Sequence, residues 1–328
     1  MFRLMCVVCF ACFLLGCGSQ PEISKGVTSQ LTQNGVIIGH FSKDGEWTVT
    51  LDGNADIQIH DNTDQSIVFK VPKDKIKTPV KALLLSDDKS MLVIAGENLI
   101  SIWSVPKQKL VTNVPFAGVS PLASISSLAL SHDNKRLLVA MDDGSVNMAD
   151  LFTKINNRFM PHSRPIEHLA FHENAEYFVT GAQDGLVAMW QFASPEPVYQ
   201  HQFNHRVTSL TVSPDGKHLF VSDGLNAQHV LDFESGKLIS ELKYMARFKM
   251  FRKAKFISNS GLLATSSSKS HLSIWRYDSG EELGTWSIRT ASEGATVVDM
   301  YVPNSSTLVT LNSDGMLETW AVNLLAEK

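Results

Sequence analysis

The stretch of residues 162–192 reads HSRPIEHLAFHENAEYFVTGAQDGLVAMWQF. It contains an apolar run, a turn, a second apolar run, a tight Asp-Gly turn and a third apolar run that ends in Trp190. The same order of features recurs, and seven copies can be followed along the chain. A unit of this length cannot bury its own apolar faces, so neighbouring copies are expected to stack on one another.

The spacing of the copies is measured from the last inward-facing residue of each third run. These landmarks lie 43, 46, 41, 41, 44 and 45 residues apart and are His60, Trp103, Ala149, Trp190, Leu231, Trp275 and Trp320. Before most landmarks, apolar residues alternate with polar or small ones, as in Val187, Ala188 and Met189. Alternation with a period of two is typical of a β-strand and not of a helix. The sequence therefore predicts an all-β chain.

A period in the low forties, with Asp-Gly turns ahead of a Trp, resembles the WD-repeat (WD40-like) β-propeller family. The resemblance covers nearly all of the chain after residue 30. It implies a seven-bladed β-propeller of four-stranded antiparallel blades. It also implies a hydrogen-bonded structural tetrad, which is complete only in the fourth copy, as His162, Thr180, Asp184 and Trp190. The Trp-Asp dipeptide never occurs intact, so the resemblance rests on period and pattern.

The seventh copy lacks material for its outer strand. Only eight residues follow Trp320, which is too few for another turn and strand. Residues 23–31 alternate weakly and are expected to supply the missing strand, closing the ring and removing an exposed sheet edge. We therefore predict one propeller domain over residues 23–328.

The N-terminus is typical of an export signal. Residues 4–15 form an apolar run after Arg3, and this run is shorter than the ~20 residues that span a membrane. Residues 14–17, LLGC, resemble a bacterial lipobox. The resemblance implies that residues 1–16 are a lipoprotein signal peptide, that Cys17 is lipidated and that residues 17–22 are a tether. The alternative is an ordinary signal peptide with an incidental cysteine.

Two further features bear on the location of the protein. All four cysteines lie at or before Cys17, so the body of the protein is expected to contain no disulfide. In the lipoproteins that this N-terminus resembles, an Asp directly after the lipidated Cys retains the protein in the inner membrane. Gly18 occupies that position here. This favours a lipid anchor on the periplasmic face of the outer membrane of a bacterial cell envelope.

Composition and motifs argue against several classes of function. Without Arg3 the remaining chain has 28 basic and 33 acidic residues, so nucleic acid is not the expected partner. The eleven histidines are scattered and no HExxH motif occurs, so we predict no metal site. No GxSxG, Walker or GxGxxG motif occurs, so we predict no cofactor and no catalytic residue.

Partner binding is predicted at the loops that a propeller presents. Arg164 and Arg206 occupy loop positions that often face partners in the resembled family. Residues 243–255, KYMARFKMFRKAK, form a basic stretch with interleaved aromatic residues, a composition typical of interface anchors. We expect part of it to be a loop that binds an acidic protein surface or anionic lipid head groups. The alternative is a solvated outer strand with its aromatic residues turned into the blade. The candidate binding residues of this basic stretch are Arg247, Lys249, Arg252 and Lys253.

These features together predict a non-enzymatic lipoprotein, anchored to the outer membrane, that binds protein partners as a rigid scaffold. One alternative is an accessory factor in outer-membrane protein assembly. Another is a periplasmic propeller enzyme acting on a small or sugar-like substrate, since one sequence cannot show whether side chains from several blades converge.

Overall fold

A computed structural model describes residues 25–76, 79–243, 250–268 and 270–322. Over these residues the chain forms seven four-stranded antiparallel sheets arranged as the blades of a propeller. The predicted fold class is therefore confirmed. The signal peptide, Cys17, the tether and residues 23–24 lie outside the described residues, as do Arg247 and Lys249.

The first strand of the described residues is β1 (Lys25–Gln30), and the blades follow in chain order. Blade 1 contains β2 (Val36–Phe41), β3 (Trp47–Asp52), β4 (Ile57–Asp61) and β5 (Ile67–Lys70). A short 3-10 turn, Lys73–Lys75, leads to the next blade. Blade 2 contains β6 (Ala82–Leu85), β7 (Met91–Ala95), β8 (Leu99–Ser104) and β9 (Lys109–Pro115). Blade 3 contains β10 (Ile125–Leu130), β11 (Arg136–Met141), β12 (Val146–Asp150) and β13 (Asn156–Phe159).

The second half of the chain repeats the arrangement. Blade 4 contains β14 (Ile166–Phe171), β15 (Tyr177–Ala182), β16 (Leu186–Gln191) and β17 (Pro197–Gln202). Blade 5 contains β18 (Val207–Val212), β19 (His218–Asp223), β20 (Gln228–Asp232) and β21 (Leu238–Glu241). Blade 6 contains β22 (Phe251–Ile257), β23 (Leu262–Ser267), β24 (His271–Arg276) and β25 (Glu281–Ser287). Blade 7 contains β26 (Val297–Asn304), β27 (Thr307–Asn312) and β28 (Met316–Ala321).

Strand β1 closes the ring. It pairs antiparallel with β28, with Thr28 opposite Glu318 and Gln30 opposite Met316. The N-terminal strand is thereby the outer strand of blade 7, as predicted from the short stretch after Trp320. Because β28 is paired on both sides, blade 7 exposes no additional edge at the closure.

The apolar core lies between neighbouring blades and not within them. Val49 and Ile59 of blade 1 pack in one cluster with Leu83 and Leu92 of blade 2, and all four are buried. Equivalent clusters join blades 2 and 3, blades 4 and 5, and blades 6 and 7. This is the stacking that the repeat length predicts, because each sheet buries its faces only against its neighbours.

The first strand of each blade is innermost, and these seven strands contact one another in a closed ring around a central channel. We call the end of this channel at which the innermost strands begin the channel mouth. The turns between the second and third strands of the blades lie at the same end. In the part of the chain described here, no helix has the length and apolar character needed to cross a bilayer.

Candidate binding site at the channel mouth

The four tetrad residues of blade 4 form a continuous chain of hydrogen bonds. The indole Nε1 of Trp190 donates to Oγ1 of Thr180 at 3.0 Å. Nε2 of His162 lies 2.7 Å from the same Oγ1, and its Nδ1 lies 3.1 Å from Oδ1 of Asp184. Because a carboxylate only accepts, Nδ1 carries the proton, and Nε2 accepts from the Thr180 hydroxyl. These hydrogen bonds tie β15, β16, the turn between them and the loop before β14 together.

Burial and hydrogen bonding set the protonation states of His162 and Asp184. Burial lowers the pKa of His162, and the neighbouring carboxylate of Asp184 only partly offsets this effect. Burial alone would raise the pKa of Asp184, but the backbone N–H groups of Ser163 and Leu186 and the His162 ring lower it overall. A neutral imidazole therefore donates to an ionised carboxylate, which matches the direction of the bonds.

Three other blades keep part of this series of hydrogen bonds. Trp275 donates to Thr265 at 2.8 Å in blade 6, and Trp320 donates to Thr310 at 3.1 Å in blade 7. In blade 1 the landmark His60 takes the place of Trp, with Nε2 3.2 Å from Oγ1 of Thr50. This His–Thr pair was not predicted, although Thr50 lies ten residues before the landmark, the same spacing as Thr180 before Trp190.

Asp-Gly turns hold the loops at the channel mouth in place. Gly185 adopts a φ of 78°, and a Cβ at this position would lie 2.4 Å from the carbonyl oxygen of Phe203. Glycine therefore allows the loop before β18 to pack on the turn. In blade 3, Oδ2 of Asp143 accepts the backbone N–H of Ser120 at 2.7 Å. The loops that present binding residues are thus fixed by side-chain bonds to neighbouring turns.

A β-bulge follows the first residue of six of the seven innermost strands. In each case the first residue is buried and apolar, and the strand register shifts before the third. A bulge leaves one residue unpaired and redirects its side chain. The bulged residues are Ile37, Ser126, Glu167, Thr208, Arg252 and Val298. All except Ser126 line one cavity at the channel mouth.

This cavity has a volume of about 530 Å³ and is lined by the innermost strands of blades 1, 4, 5, 6 and 7. Three sequence-predicted binding residues, Arg206, Arg252 and Lys253, lie on its wall. The basic stretch was expected to lie partly in a face loop, with an outer strand as the alternative. The outer strand is wrong for Arg252 and Lys253, and residues 244–249 lie outside the described residues. Arg252 and Lys253 belong to the innermost strand β22.

Acidic and imidazole groups accompany these cations. Glu167 accepts from Nε2 of Gln183 at 2.7 Å. Asp299, on β26, accepts the backbone N–H of Phe41 at 3.0 Å and lies 3.4 Å from Nδ1 of His40. Burial lowers the pKa of His168 to about 4, and the charges of Lys253 and Arg206 contribute to the shift. His168 is therefore neutral at pH 7.

Arg164 occupies a different position. It lies in the loop between β13 and β14, at the same end of the channel, but it is absent from the cavity wall. A Cβ on Gly144 would meet the carbonyl oxygen of Arg164 at 3.1 Å, so the Arg164 backbone packs on the turn of blade 3.

Among the described residues no group of three or more His, Cys, Asp or Glu side chains is arranged to hold a metal ion.

Comparison with known proteins agrees with the geometry. Residues 153–191 match the WD40 family, described as WD domain, G-beta repeat. The matched segment contains all four members of the complete tetrad. The chain is a seven-bladed β-propeller with one segment that matches the WD40 repeat.

Several known proteins are similar to this chain at low identity. The mouse target of rapamycin complex subunit LST8 is 23% identical over 230 residues, covering 66% of this chain and 68% of the relative. The target of rapamycin complex subunit wat1 of Schizosaccharomyces pombe is 23% identical over 202 residues, covering 60% and 64%. The Drosophila melanogaster protein groucho is 26% identical over 153 residues, covering 46% of this chain and 20% of groucho.

Proposed function

We propose that this WD40 propeller is a non-enzymatic, protein-binding scaffold whose partner docks at the channel mouth. The observation that carries the proposal is the convergence of Arg206, Arg252 and Lys253, from two blades, on one open cavity. Exposed cations on rigid elements of a concave surface are suited to recognition, because the site loses little conformational freedom on binding.

The relatives support a role in assembly. The names of the mouse and fission yeast relatives describe them as subunits of a complex. The present chain shares their repeat, and its mouth-facing loops are fixed by the bonds of Asp143 and Asp184. A rigid ring with fixed loops is a platform for a partner.

Crosslinking in intact cells tests the proposal. The triple variant Arg206→Glu, Arg252→Glu, Lys253→Glu should lose the crosslinked partners that the unaltered protein captures. The matched control is Lys135→Glu, Lys217→Glu, Lys237→Glu, which makes the same charge change in turns at the opposite end of the channel. These surface changes should leave folding almost intact. Full capture by the folded mouth variant would refute a partner at this mouth.

We further propose that lipidation of Cys17 anchors the scaffold at the periplasmic face of the bacterial outer membrane. The proposal is motivated by the LLGC sequence of residues 14–17 and by the apolar run before it. Cys17→Ser should abolish acylation and leave the precursor uncleaved at residue 16. Mass spectrometry of the membrane fraction measures both outcomes. An acylated, cleaved form of the variant would contradict the proposal.

A further inference from the structure

The cationic half of the channel mouth comes from blades 5 and 6. Nη1 of Arg252 donates to Oγ1 of Thr296 at 3.4 Å, and Nη2 of Arg206 lies 3.7 Å from Sδ of Met250. Neither contact neutralises a charge. Within the residues that the structure describes, Arg206, Arg252 and Lys253 form no ion pair, and all three are exposed. Their charge is therefore available to a ligand.

The nearby carboxylates offset this charge only in part, because each also has another hydrogen-bond partner. Glu167 is bound by Gln183, and Asp299 is bound by the Phe41 backbone and lies beside His40. Burial would raise the pKa of Asp299, but His40 and then Lys253 and Lys255 lower it well below its usual range. Burial is the main cause of the lowered pKa of His168, and the charges of Lys253 and Arg206 add to it. The channel mouth is thus electrostatically positive.

The other half of the mouth is apolar. The bulged residues of blades 7 and 1, Val298 and Ile37, both line the cavity, and their strands, β26 and β2, are in contact. Ile37 is 63% exposed, although it lies on an innermost strand. An exposed isoleucine on the wall of a concave site is suited to packing against an apolar side chain of a ligand. The mouth therefore has a cationic arc beside an apolar arc.

We infer that the segment that enters the channel mouth is an extended acidic peptide of a protein partner. Its side-chain carboxylates bind Arg206, Arg252 and Lys253, and an adjacent apolar side chain packs on Ile37 and Val298. Guanidinium groups suit this role because they form paired, charge-assisted hydrogen bonds with carboxylates. The concave shape favours an extended segment over a flat protein surface, since the cations lie on the cavity wall. This inference rests on the proposed function and specifies its partner.

Fluorescence anisotropy with a labelled peptide of alternating Glu and Leu tests the inference on the purified full chain. The peptide should bind, and binding should weaken as salt is added, because the contacts are between charges. The triple variant Arg206→Gln, Arg252→Gln, Lys253→Gln should bind about tenfold more weakly or worse, equivalent to at least ~1.4 kcal/mol. The control variant Lys135→Gln, Lys217→Gln, Lys237→Gln should bind normally. Ile37→Ser should also weaken binding, whereas a peptide of alternating Gln and Leu should not bind.

The outcomes separate the possible ligands. Binding of phosphatidylglycerol vesicles without binding of the peptide would overturn the inference in favour of a membrane surface. Equal competition by free glutamate and by the unlabelled peptide would overturn it in favour of a small anion. Equal peptide binding by the mouth and control variants would also overturn it, provided that thermal melts show both to be folded. If the peptide fails but the mouth variant still loses its crosslinked partners, the protein-binding proposal stands and only the acidic peptide is excluded.

Discussion

The hydrogen-bond chain of blade 4 makes a quantitative prediction about Thr180. Thr180→Val keeps the side-chain volume but removes the hydroxyl that accepts from Trp190 and donates to His162. Thr180 is fully buried, and Trp190 and His162 are each 3% exposed, so water cannot replace the lost bonds. A buried polar group without a partner costs about 1–3 kcal/mol. With two such groups, the free energy of unfolding should fall by about 2–6 kcal/mol.

Blade 6 provides a matched control. Thr265→Val removes the hydrogen bond that the indole of Trp275 donates at 2.8 Å, in a blade whose described residues place no histidine against that hydroxyl. Its expected loss is about 1–3 kcal/mol. Urea unfolding of both variants at pH 7 therefore measures the contribution of the His162 link by difference. If Thr180→Val is no more destabilising than Thr265→Val, the imidazole contributes nothing through Thr180, and the reasoning is wrong.

Two further predictions concern His168 and ring closure. Because the pKa of His168 falls from 6.5 to about 4 in the folded state, the stability linked to it is present above pH 6.5 and is lost as the pH falls towards 4. The loss of unfolding free energy is at most ~3 kcal/mol, since water in the channel screens the charge. In His168→Gln, the urea midpoint of unfolding should therefore change less between pH 6.5 and pH 4 than in the unaltered protein. Identical pH profiles for the variant and the unaltered protein would contradict the shift. Removing residues 1–31 deletes β1 and its ladder with β28, so the unfolding free energy should fall by several kcal/mol relative to a chain lacking only residues 1–16. An unchanged melting temperature would show that β1 does not hold the ring closed.

The fold was predictable because its signals are local. Alternating apolar residues and Asp-Gly turns lie within single copies of the repeat, and the landmarks recur every 41 to 46 residues. Closure by β1 was predicted because the eight residues given after Trp320 are too few for another turn and strand. Each of these inferences needs only the chain order and the requirement that sheet edges be paired.

Contacts between blades were not predictable in the same way. Asp87 of blade 2 lies 3.1 Å from Nζ of Lys43 and 2.7 Å from Nδ1 of His132, so it links three blades at the end opposite the mouth. Burial would raise the pKa of Asp87, but these two partners lower it. The three residues are separated by more than forty positions on each side. Asp87 lies in the turn between β6 and β7, and no local pattern indicates its partners.

The basic stretch illustrates a physical limit of pattern reading. Charged residues usually indicate a solvated loop or an outer strand, because an innermost strand in most folds is dry. In a propeller the innermost strand instead borders a channel open to water. Phe251 and Phe256 of β22 are buried in the blade core, whereas Arg252 and Lys253 line the channel mouth. The alternation was present in the sequence, but its polar side faces the channel and not the outside.

The β-bulges explain how one repeat can carry different binding chemistry in each blade. The buried residue before each bulge anchors the innermost strand, and it is apolar in all six strands that have one. The bulged residue contributes no side chain to that buried position, so its identity is free to vary without opening a cavity in the core. The observed variation covers apolar, hydroxyl, acidic and basic side chains, from Ile37 to Arg252. In these six strands the first residue therefore contributes to stability, and the second residue is available for recognition. Substitutions at the bulged positions should therefore change ligand preference with little effect on folding, whereas substitutions one residue earlier should do the reverse.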